Sequence, residues 1–325
     1  MISKREFLSN AAMAVTAGFG ASVGGRAFAA TYPTHAIQFI MPFPGGPVDV
    51  TSRLYGQRMQ QDWKQSVVVE PRPGATGSLG AQAVAKAAPD GYTLLFTVDL
   101  PITMAPNLLK VPYDPVRDFT PIAAIVELQN VLAVNASSGI KTMDELVAAA
   151  KAKPGVLTFS SAGIGSPAHL CGEMIKRQAG IDMIHVPYKG AAPAMNALLA
   201  GDVTMFCGPI AQALPQIKAG KLNAIRVAGT APSPLLPGVA TLASSYPGMV
   251  MLNWFGVLAP ANTPTDVCDT LRAELKKIGE EPEVRSRLSS LGMEPAWIPG
   301  AEFAERIKAD FAKWGKFIKA ANIHN

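Results

Sequence analysis

Three glycine-rich segments hold the residues whose types and spacing could do chemistry. They span residues 42–49, 160–166 and 187–192, and each lies between an apolar run that predicts a strand and a run that predicts a helix. Glycine lets backbone N–H groups turn toward an anion without a Cβ in the way, and a helix start contributes roughly half a positive charge. This arrangement favours binding of a carboxylate. One such segment would be explained by a tight turn alone, but three in the same context favour a ligand site.

The elements that must position these segments alternate between strand and helix. A first helix is predicted to begin near Asp49, Thr142 and Glu145 predict a capping box, and Ser166 predicts an N-cap. Apolar runs predict strands at residues 37–41, 67–69, 93–98, 122–126, 131–134, 157–161, 183–186, 203–207, 222–227 and 255–259. Further helices are predicted at residues 78–88, 142–153, 168–178, 193–200, 210–219, 263–279, 282–291 and 301–320.

This alternation predicts an α/β fold with two lobes. Strand–helix–strand series give mostly parallel sheets, and the series is interrupted near residue 127 and rejoined near residue 253. We therefore predict one lobe from residues 30–127 and 253–325 and a second lobe from residues 128–252. In open α/β sheets, ligands lie beyond the carboxyl ends of the strands, so we expect the ligand between the lobes.

The first thirty residues differ from the rest of the chain and predict an export signal. Lys4 and Arg5 are followed by an apolar, small-residue run at 11–23 and by Ala27-Phe28-Ala29, which has the pattern of a signal-peptidase site. We predict a signal peptide over residues 1–29 and a periplasmic protein. An amphipathic first helix is the alternative, but four glycines in this stretch would each cost about 1 kcal/mol. Sec and Tat export are both open, because Lys4 stands where the twin-arginine signal has arginine.

Composition and charge exclude several classes of protein. The 325 residues include 29 Lys and Arg against 24 Asp and Glu, and the net charge of +5 is too small for an electrostatic nucleic-acid binder. Apolar residues make up 49% of the chain, which is enough for a packed core and too many for intrinsic disorder. After the predicted signal peptide, no run reaches the roughly 18 apolar residues of a membrane span.

The cysteines and histidines predict neither a metal site nor a cofactor. Cys171, Cys207 and Cys268 are odd in number, so at least one stays free or pairs with another chain in an oxidising compartment. Their spacing fits no zinc motif, and His169 and Cys171 would lie on different faces of a helix. Buried structural thiols are the interpretation we favour, and the four histidines are scattered along the chain.

Several longer motifs carry a family resemblance. The first is Pro42-Phe43-x-Gly45-Gly46-x-x-Asp49-x-x-x-Arg53, and it is followed by Pro89-Asp90-Gly91-Tyr92-Thr93-Leu94 and His185-Val186-Pro187-Tyr188-x-Gly190. With these motifs the sequence resembles the Bug-type receptors, which are the extracytoplasmic substrate-binding proteins of tripartite tricarboxylate transporters. The resemblance covers essentially the whole chain after residue 29.

The resemblance implies a periplasmic-binding-protein fold of type II, with two lobes and two crossover strands. It implies a small carboxylate ligand that is bound by loop amides, hydroxyls and ordered water and is not chemically altered. The implied partners are the large and small membrane subunits of a tripartite tricarboxylate transporter. The residues at the family's loop positions are the candidate ligand-binding residues Phe43, Gly45, Gly46, Asp49, Ala162, Gly163, Gly165, Ser166, His169, Gly190 and Ala191.

Three further candidates lie where the sequence departs from the family pattern. Thr97 and Asp99 stand where the family often has a segment rich in serine, asparagine and threonine, and Cys207 stands where it often has aspartate. Asp99 could accept a hydrogen bond from a ligand amine or hydroxyl, and a helix N-cap or a surface position is the alternative. Phe43 is the predicted apolar wall of the site, which would suit an organic acid with carbon bulk.

Two other functions are consistent with parts of the sequence. A periplasmic hydrolase would need a nucleophile beside a base, but residues 163–167 lack the G-x-S-x-G elbow and Ser166 is a predicted N-cap. A receptor that reports to a sensor instead of a transporter would use the same cleft. The sequence does not separate a transport partner from a sensor partner.

Overall fold

A mixed sheet of ten strands forms the framework of the computed structural model, which describes residues 32–324. The strands are β1 (Ile37–Met41), β2 (Val67–Pro71), β3 (Thr93–Val98), β4 (Phe119–Asn135), β5 (Thr158–Ser161), β6 (Ile184–Pro187), β7 (Met205–Pro209), β8 (Leu222–Val227), β9 (Leu252–Pro260) and β10 (Glu294–Pro299). The helices are α1 (Pro47–Trp63), α2 (Ser78–Ala85), α3 (Met143–Ala152), α4 (Pro167–Ala179), α5 (Ala191–Ala200), α6 (Ile210–Lys218), α7 (Thr265–Glu280), α8 (Pro282–Ser290) and α9 (Gly300–Ala320). The predicted signal peptide lies outside the described residues.

Most local predictions are confirmed. Each predicted helix and nearly every predicted strand has a counterpart whose bounds differ by only a few residues, while β10 was not predicted. Thr142 and Glu145 form the predicted capping box at the start of α3. Ser166 is the N-cap of α4, and Pro167 is its first residue. These features are encoded by neighbouring residues, which is why the sequence reveals them.

Strand β4 runs without a break through the polar residues between two of the predicted strands. Glu127 and Gln129 are half-buried and alternate with the buried residues Leu128 and Asn130. Such alternation is typical of a single pleated strand, because successive side chains point to opposite faces. The prediction of separate strands at 122–126 and 131–134 is therefore wrong.

The sheet is parallel toward its two edges and antiparallel at its centre. β1 pairs in parallel with β2 and β3, and β5 pairs in parallel with β6 and β7. Between these two series lie β9 and β4, and β9 is antiparallel to both β3 and β4. β4 is also antiparallel to β7, β8 and β10. The prediction of mostly parallel sheets is wrong for the central strands, because the two long strands cross between the series.

Strand β4 joins the two parallel series. Its first part, up to Gln129, pairs with β9, and its last part, from Asn130, pairs with β7 and β8. Gln129 pairs with Leu252 at the start of β9, so both long strands pass the position at which the sequence predicts the change of lobe. The division into lobes at residues 30–127, 128–252 and 253–325 stays a prediction.

The last helix, α9, packs against both series. Phe303 in its first half is buried in one cluster with Ile40 of β1 and Trp254 of β9, and the rings of Phe303 and Trp254 meet edge to face with centroids 4.7 Å apart. Trp314 and Ile318 in its second half are buried in a different cluster with Phe159 of β5. Helix α9 therefore packs against both parts of the sheet.

A disulfide bond joins Cys171 of α4 to Cys207 of β7, and Cys268 is a buried free thiol. The Cα atoms of the bonded pair lie 6.1 Å apart because α4 packs directly on β7. The prediction of buried thiols is confirmed for Cys268 and wrong for the other two cysteines. Their separation of 36 residues in the sequence gives no sign that this helix and this strand are neighbours.

Candidate ligand-binding site

A cavity of about 390 Å³ lies where the three glycine-rich segments meet. The segments follow β1, β5 and β6 and lead into α1, α4 and α5. Segments that are far apart in the chain thus converge beyond the carboxyl ends of parallel strands. Six of the candidate residues line the cavity from these segments: Phe43, Gly46, Ala162, Ser166, Gly190 and Ala191.

Each of the three helices begins at the cavity with an unpaired N–H group. Among residues 32–324, no acceptor receives a hydrogen bond from the N–H of Val48 in α1, Ala168 in α4 or Ala191 in α5. All three residues line the cavity. The first N–H groups of a helix have no partner within the helix, and the helix dipole adds partial positive charge at the same place. The edge of the cavity therefore carries three free donors from three helices.

The side chain of Asp49 holds the first segment in shape and does not line the cavity. Its Oδ2 accepts a hydrogen bond from the Gly45 N–H at 2.9 Å, and its Oδ1 lies 2.7 Å from Arg53 Nε. The φ of Gly45 is +76°, which a residue with a side chain adopts only with strain. Neither Gly45 nor Asp49 is among the described residues that line the cavity, and their contact with a ligand stays a prediction.

Gly163, Gly165 and His169 hold the shape of the second segment. The Gly163 N–H donates to Ser161 Oγ at 3.1 Å, and the Gly165 N–H donates to His169 Nδ1 at 3.0 Å. The φ of Gly165 is +75°, and a Cβ there would lie 2.0 Å from Leu108 Cδ1. None of these three candidates is among the described residues that line the cavity. They position the backbone of the segment, and their direct contact with a ligand stays a prediction.

Ser166 lines the cavity, but its hydroxyl is already engaged. Its Oγ donates to Gly163 O at 2.7 Å and accepts from the His169 N–H at 3.4 Å. The bond accepted from His169 makes Ser166 the N-cap of α4, and the bond to Gly163 O engages the hydroxyl proton. We therefore expect Ser166 to shape the site more than it donates to a ligand.

His169 and His185 form a stacked pair behind the second segment. Their ring centroids are 3.8 Å apart, and His185 Nε2 lies 2.6 Å from Ser161 Oγ. Burial lowers the pKa of His169 to about 4 and the pKa of His185 to about 3, so both rings are neutral at pH 7. The sequence shows only scattered histidines, because the packing of α4 on β5 and β6 brings this pair together.

The contact between Ser161 and His185 lacks the features of a hydrolytic site. Ser161 is fully buried, and neither residue lines the cavity. Within the described part of the chain, no Asp or Glu side chain bonds to His185 to orient it. A ligand in the cavity would therefore meet neither the hydroxyl nor the imidazole.

Apolar side chains form most of the cavity wall. Phe43, Leu128, Phe206 and Phe255 line it from the first segment, β4, β7 and β9. The Phe43 ring lies against Gly77, where a Cβ would be 2.7 Å from the ring. Leu128, Phe206 and Phe255 could not be singled out from the sequence, because each is one more apolar residue in a strand.

Asp99 is the one ionisable side chain among the described lining residues. It is 2% exposed and lies between β3 and a π-helical turn at Leu100–Met104. Its Oδ2 accepts a hydrogen bond from Asn253 Nδ2 at 2.7 Å. Burial raises the pKa of Asp99 to about 7, and the hydrogen bond from Asn253 opposes this shift. The alternative of a surface position is wrong, and the side chain makes no capping bond to the turn.

Thr97 and Cys207 are fully buried outside the described lining. The Thr97 hydroxyl donates to Val98 O at 3.2 Å. Cys207 is bonded to Cys171 and has no thiol proton to donate. A direct contact of Thr97 or Cys207 with a ligand stays a prediction.

Two amide side chains that were not predicted from the sequence also line the cavity. Asn253 lies on β9, and Gln212 lies on α6. Gln212 Oε1 is buried and has no hydrogen-bond partner among the described residues. Asn253 Oδ1 accepts a hydrogen bond from Asn130 Nδ2 at 2.6 Å. No local pattern singles out these amides, because their position depends on how β9 and α6 pack.

Residues 32–324 contain neither a cluster of metal ligands nor a membrane-spanning helix. No three His, Cys, Asp or Glu side chains there lie together as metal ligands would. No helix in this range has both the length and the apolar character needed to cross a bilayer.

Comparison with known proteins identifies the family. The family model described as the tripartite tricarboxylate transporter family receptor matches residues 51–323, which is most of the chain. The chain belongs to this receptor family. The resemblance drawn from the sequence motifs is therefore confirmed.

Solved structures similar to this receptor share its fold. The periplasmic binding protein BugD is 32% identical to it, with a TM-score of 0.78 over 90% of this chain and 99% of that chain. Rpa4515 of R. palustris, solved with adipate, is 30% identical, with a TM-score of 0.81 over 90% and 99% of the two chains. MatC from Rhodopseudomonas palustris, solved with malate, is 30% identical, with a TM-score of 0.76 over 88% and 100%. The receptor has the α/β periplasmic-binding-protein fold that the resemblance implies.

Proposed function

We propose that this receptor captures a small organic acid in its cavity, in the periplasm, and delivers it to the membrane subunits of a tripartite tricarboxylate transporter. The observation that carries the proposal is the convergence of three helix starts on one cavity, each with an N–H that has no acceptor among residues 32–324. The export signal predicted in residues 1–29 and the periplasmic relative BugD support the location.

A carboxylate suits these helix starts better than a cation or a neutral group does. The N–H groups of Val48, Ala168 and Ala191 are donors, and the dipoles of their helices favour negative charge. No Lys or Arg is among the described lining residues, so backbone dipoles would balance the charge of the ligand. Adipate and malate, which two relatives hold, are both carboxylates.

Binding without chemistry is the second part of the proposal. The hydroxyl of Ser166 bonds to Gly163 O, and the pair of Ser161 and His185 lies outside the lining. Among the described lining residues, no nucleophile therefore stands beside a base. The matched family is one of receptors, which agrees with this reading.

The third part of the proposal is that two lobes close on the ligand about β4 and β9. Phe43 and Asp99 line the cavity from the first strand series, and Ala162 and Ala191 line it from the second. A ligand that contacts both sides can shift the receptor toward a closed state if it binds that state more tightly. Closure would let a membrane partner distinguish a loaded receptor from an empty one.

Thermal unfolding with a panel of organic acids tests the binding step. An acid at 100 times its Kd should stabilise the fold by about 2.7 kcal/mol, which raises the Tm by several degrees. The matched amides, which lack the negative charge, should have little effect. No shift with any acid would contradict the proposal, and conversion of a bound acid into product would favour the hydrolase instead. Small-angle scattering with a saturating acid should show compaction if the lobes close.

A further inference from the structure

We propose that Asp99 makes this receptor selective for monocarboxylates with an apolar body and a hydrogen-bond donor, an amino or hydroxyl group, at the far end, and makes it reject dicarboxylates. The inference rests on the proposed function and assigns a ligand class to the same cavity. Asp99 carries the one carboxyl group among the described lining residues; it is buried, and the other residues of that lining are apolar or neutral.

The hydrogen bonds around Asp99 leave it ready to accept one from a ligand. Asn130 Nδ2 donates to Met251 O at 3.1 Å and to Asn253 Oδ1 at 2.6 Å, and Asn253 Nδ2 then donates to Asp99 Oδ2 at 2.7 Å. Each amide in this chain donates to the next residue, and the carboxyl group of Asp99 is the last acceptor. This chain of bonds fixes the orientation of Asn253. Besides a hydrogen bond within its own residue, the Asp99 carboxyl group accepts a side-chain hydrogen bond from Asn253 alone among the described residues, so it has room for one from a ligand.

The charges near Asp99 do not neutralise it. Arg306 and Asp310 of α9 are the charged residues that act on it. Arg306 Nε lies 2.7 Å from Asp310 Oδ2, and Arg306 Nη1 lies 3.6 Å from Glu127 Oε1, so its charge is shared by these two carboxylates. Among the described residues, Asp99 has no ion-pair partner. A ligand ammonium group would supply the missing positive charge.

A second ligand carboxylate would meet the opposite situation. It would lie beside Asp99 in an apolar wall, with no Lys, Arg or His among the described lining residues to compensate it. Two carboxylates that share such a site cannot both be ionised without a large penalty. A dicarboxylate is therefore disfavoured whenever Asp99 is charged, whereas a neutral hydroxyl can donate to it.

The protonation of Asp99 sets the pH at which the selectivity is strongest. Its pKa lies near 7, because burial raises it and Asp310 adds to the effect, while Asn253 and Arg306 act in the opposite direction. Above pH 7, Asp99 is charged and discriminates between an ammonium group and a carboxylate. Below pH 7, it is protonated and can donate to a second carboxylate, so the discrimination should fade.

Two matched ligand series test the inference by competition calorimetry at pH 8 and pH 6. The first series is hexanoate, its ω-hydroxy and ω-amino derivatives, and adipate. The second is para-methylbenzoate, its hydroxymethyl and aminomethyl counterparts, and terephthalate. The ligands of this second series share a body that is broader and more rigid than that of the first. Within a series only the far end of the ligand changes. The wild type at pH 8 should bind the amino acid best and the diacid worst, with about a tenfold or larger difference between them.

The variant Asp99→Asn should reverse this ranking. Its Oδ1 can still accept from Asn253 Nδ2, so the wall keeps its hydrogen bond while it loses its charge. The amino ligand should weaken by about tenfold and the diacid should bind more tightly than it does to the wild type. Asp202→Asn removes the same charge at an exposed position outside the cavity and should leave the ranking unchanged.

The outcomes separate the inference from the proposed function. If the wild type at pH 8 binds adipate or terephthalate as tightly as the amino ligand, or if Asp99→Asn leaves the ranking unchanged, the inference is wrong and the receptor function stands. If no carboxylate of either series binds, the inference is wrong, and thermal unfolding with the full panel of organic acids then decides the proposed function separately.

Discussion

The disulfide between Cys171 and Cys207 ties the helix that begins at the cavity to the strand that ends at it. Pro167, the first residue of α4, and Pro209, the last residue of β7, both line the cavity. The bond therefore fixes two sides of the candidate site to each other. It also closes a long loop, because 36 residues separate the two cysteines.

We predict that replacing both Cys171 and Cys207 with alanine lowers the free energy of unfolding by about 4 kcal/mol, since the unfolded chain gains the entropy of the open loop. Urea unfolding with and without reductant measures the effect. The wild type should lose stability in reductant, whereas the double variant should not respond. Cys268→Ala keeps the disulfide and is the matched control, so it should respond as the wild type does. Equal midpoints for the wild type in both conditions would contradict the role of the bond.

Gly46→Val should abolish acid binding without unfolding the protein. Gly46 lines the cavity, has an ordinary φ of −100°, and would place a Cβ with Phe43 O as its nearest neighbour at 3.7 Å. The fold therefore has room for the side chain, but the approach of a ligand to the first helix start would be blocked. Calorimetry and thermal unfolding of the same sample separate the two effects. Wild-type affinity in this variant would show that the first segment is not part of the site.

Ser166→Ala should mainly reduce stability. The hydroxyl caps α4 and bonds to Gly163 O, so its loss should lower the free energy of unfolding by about 1 kcal/mol. Because the hydroxyl proton is engaged within the segment, affinity for acids should change much less than it does in Gly46→Val. A loss of affinity with unchanged stability would instead show that Ser166 donates to the ligand.

Asp99→Asn should stabilise the protein above pH 7 and have little effect at pH 4. Burial raises the pKa of Asp99 from 3.8 to about 7, with Asp310 adding to the shift and Asn253 and Arg306 opposing it. A raised pKa contributes stability that is fully present below the unfolded value and is lost as the pH rises through the folded value. The variant avoids this loss, so at pH 8 it should be more stable than the wild type by on the order of 4 kcal/mol.

Urea unfolding of both proteins between pH 4 and pH 8 measures this difference, with Asp202→Asn as the control for the loss of an exposed charge. A difference in stability between the wild type and Asp99→Asn that does not change with pH would contradict the raised pKa.

Local signals made much of the fold predictable from the sequence. Thr142 with Glu145 and Ser166 with Pro167 mark helix starts within a few residues, and the structure has both. The glycine-rich segments were likewise found between strand and helix, because apolar runs and turn residues are short-range features. The family motifs are also local, and the matched family confirms what they implied.

Contacts between distant residues could not be predicted in this way. Asn253 reaches Asp99 across 154 positions of the chain, and the two histidines at 169 and 185 stack only after α4 has packed on the sheet. The antiparallel pairing of β4 with β9 depends in the same way on which strands become neighbours. A single sequence shows periodicity and turns, but it does not show which elements pack together.

The most direct test of the account is to observe the three helix-start amides while an acid binds. In a receptor labelled with ¹⁵N, titration with the acid that gives the largest thermal shift should move the N–H resonances of Val48, Ala168 and Ala191 downfield in step, because each N–H gains a charged acceptor. The matched amide ligand should not cause these shifts. If the acid saturates the receptor while these three resonances stay where they were, the carboxylate is held elsewhere and the central claim is wrong.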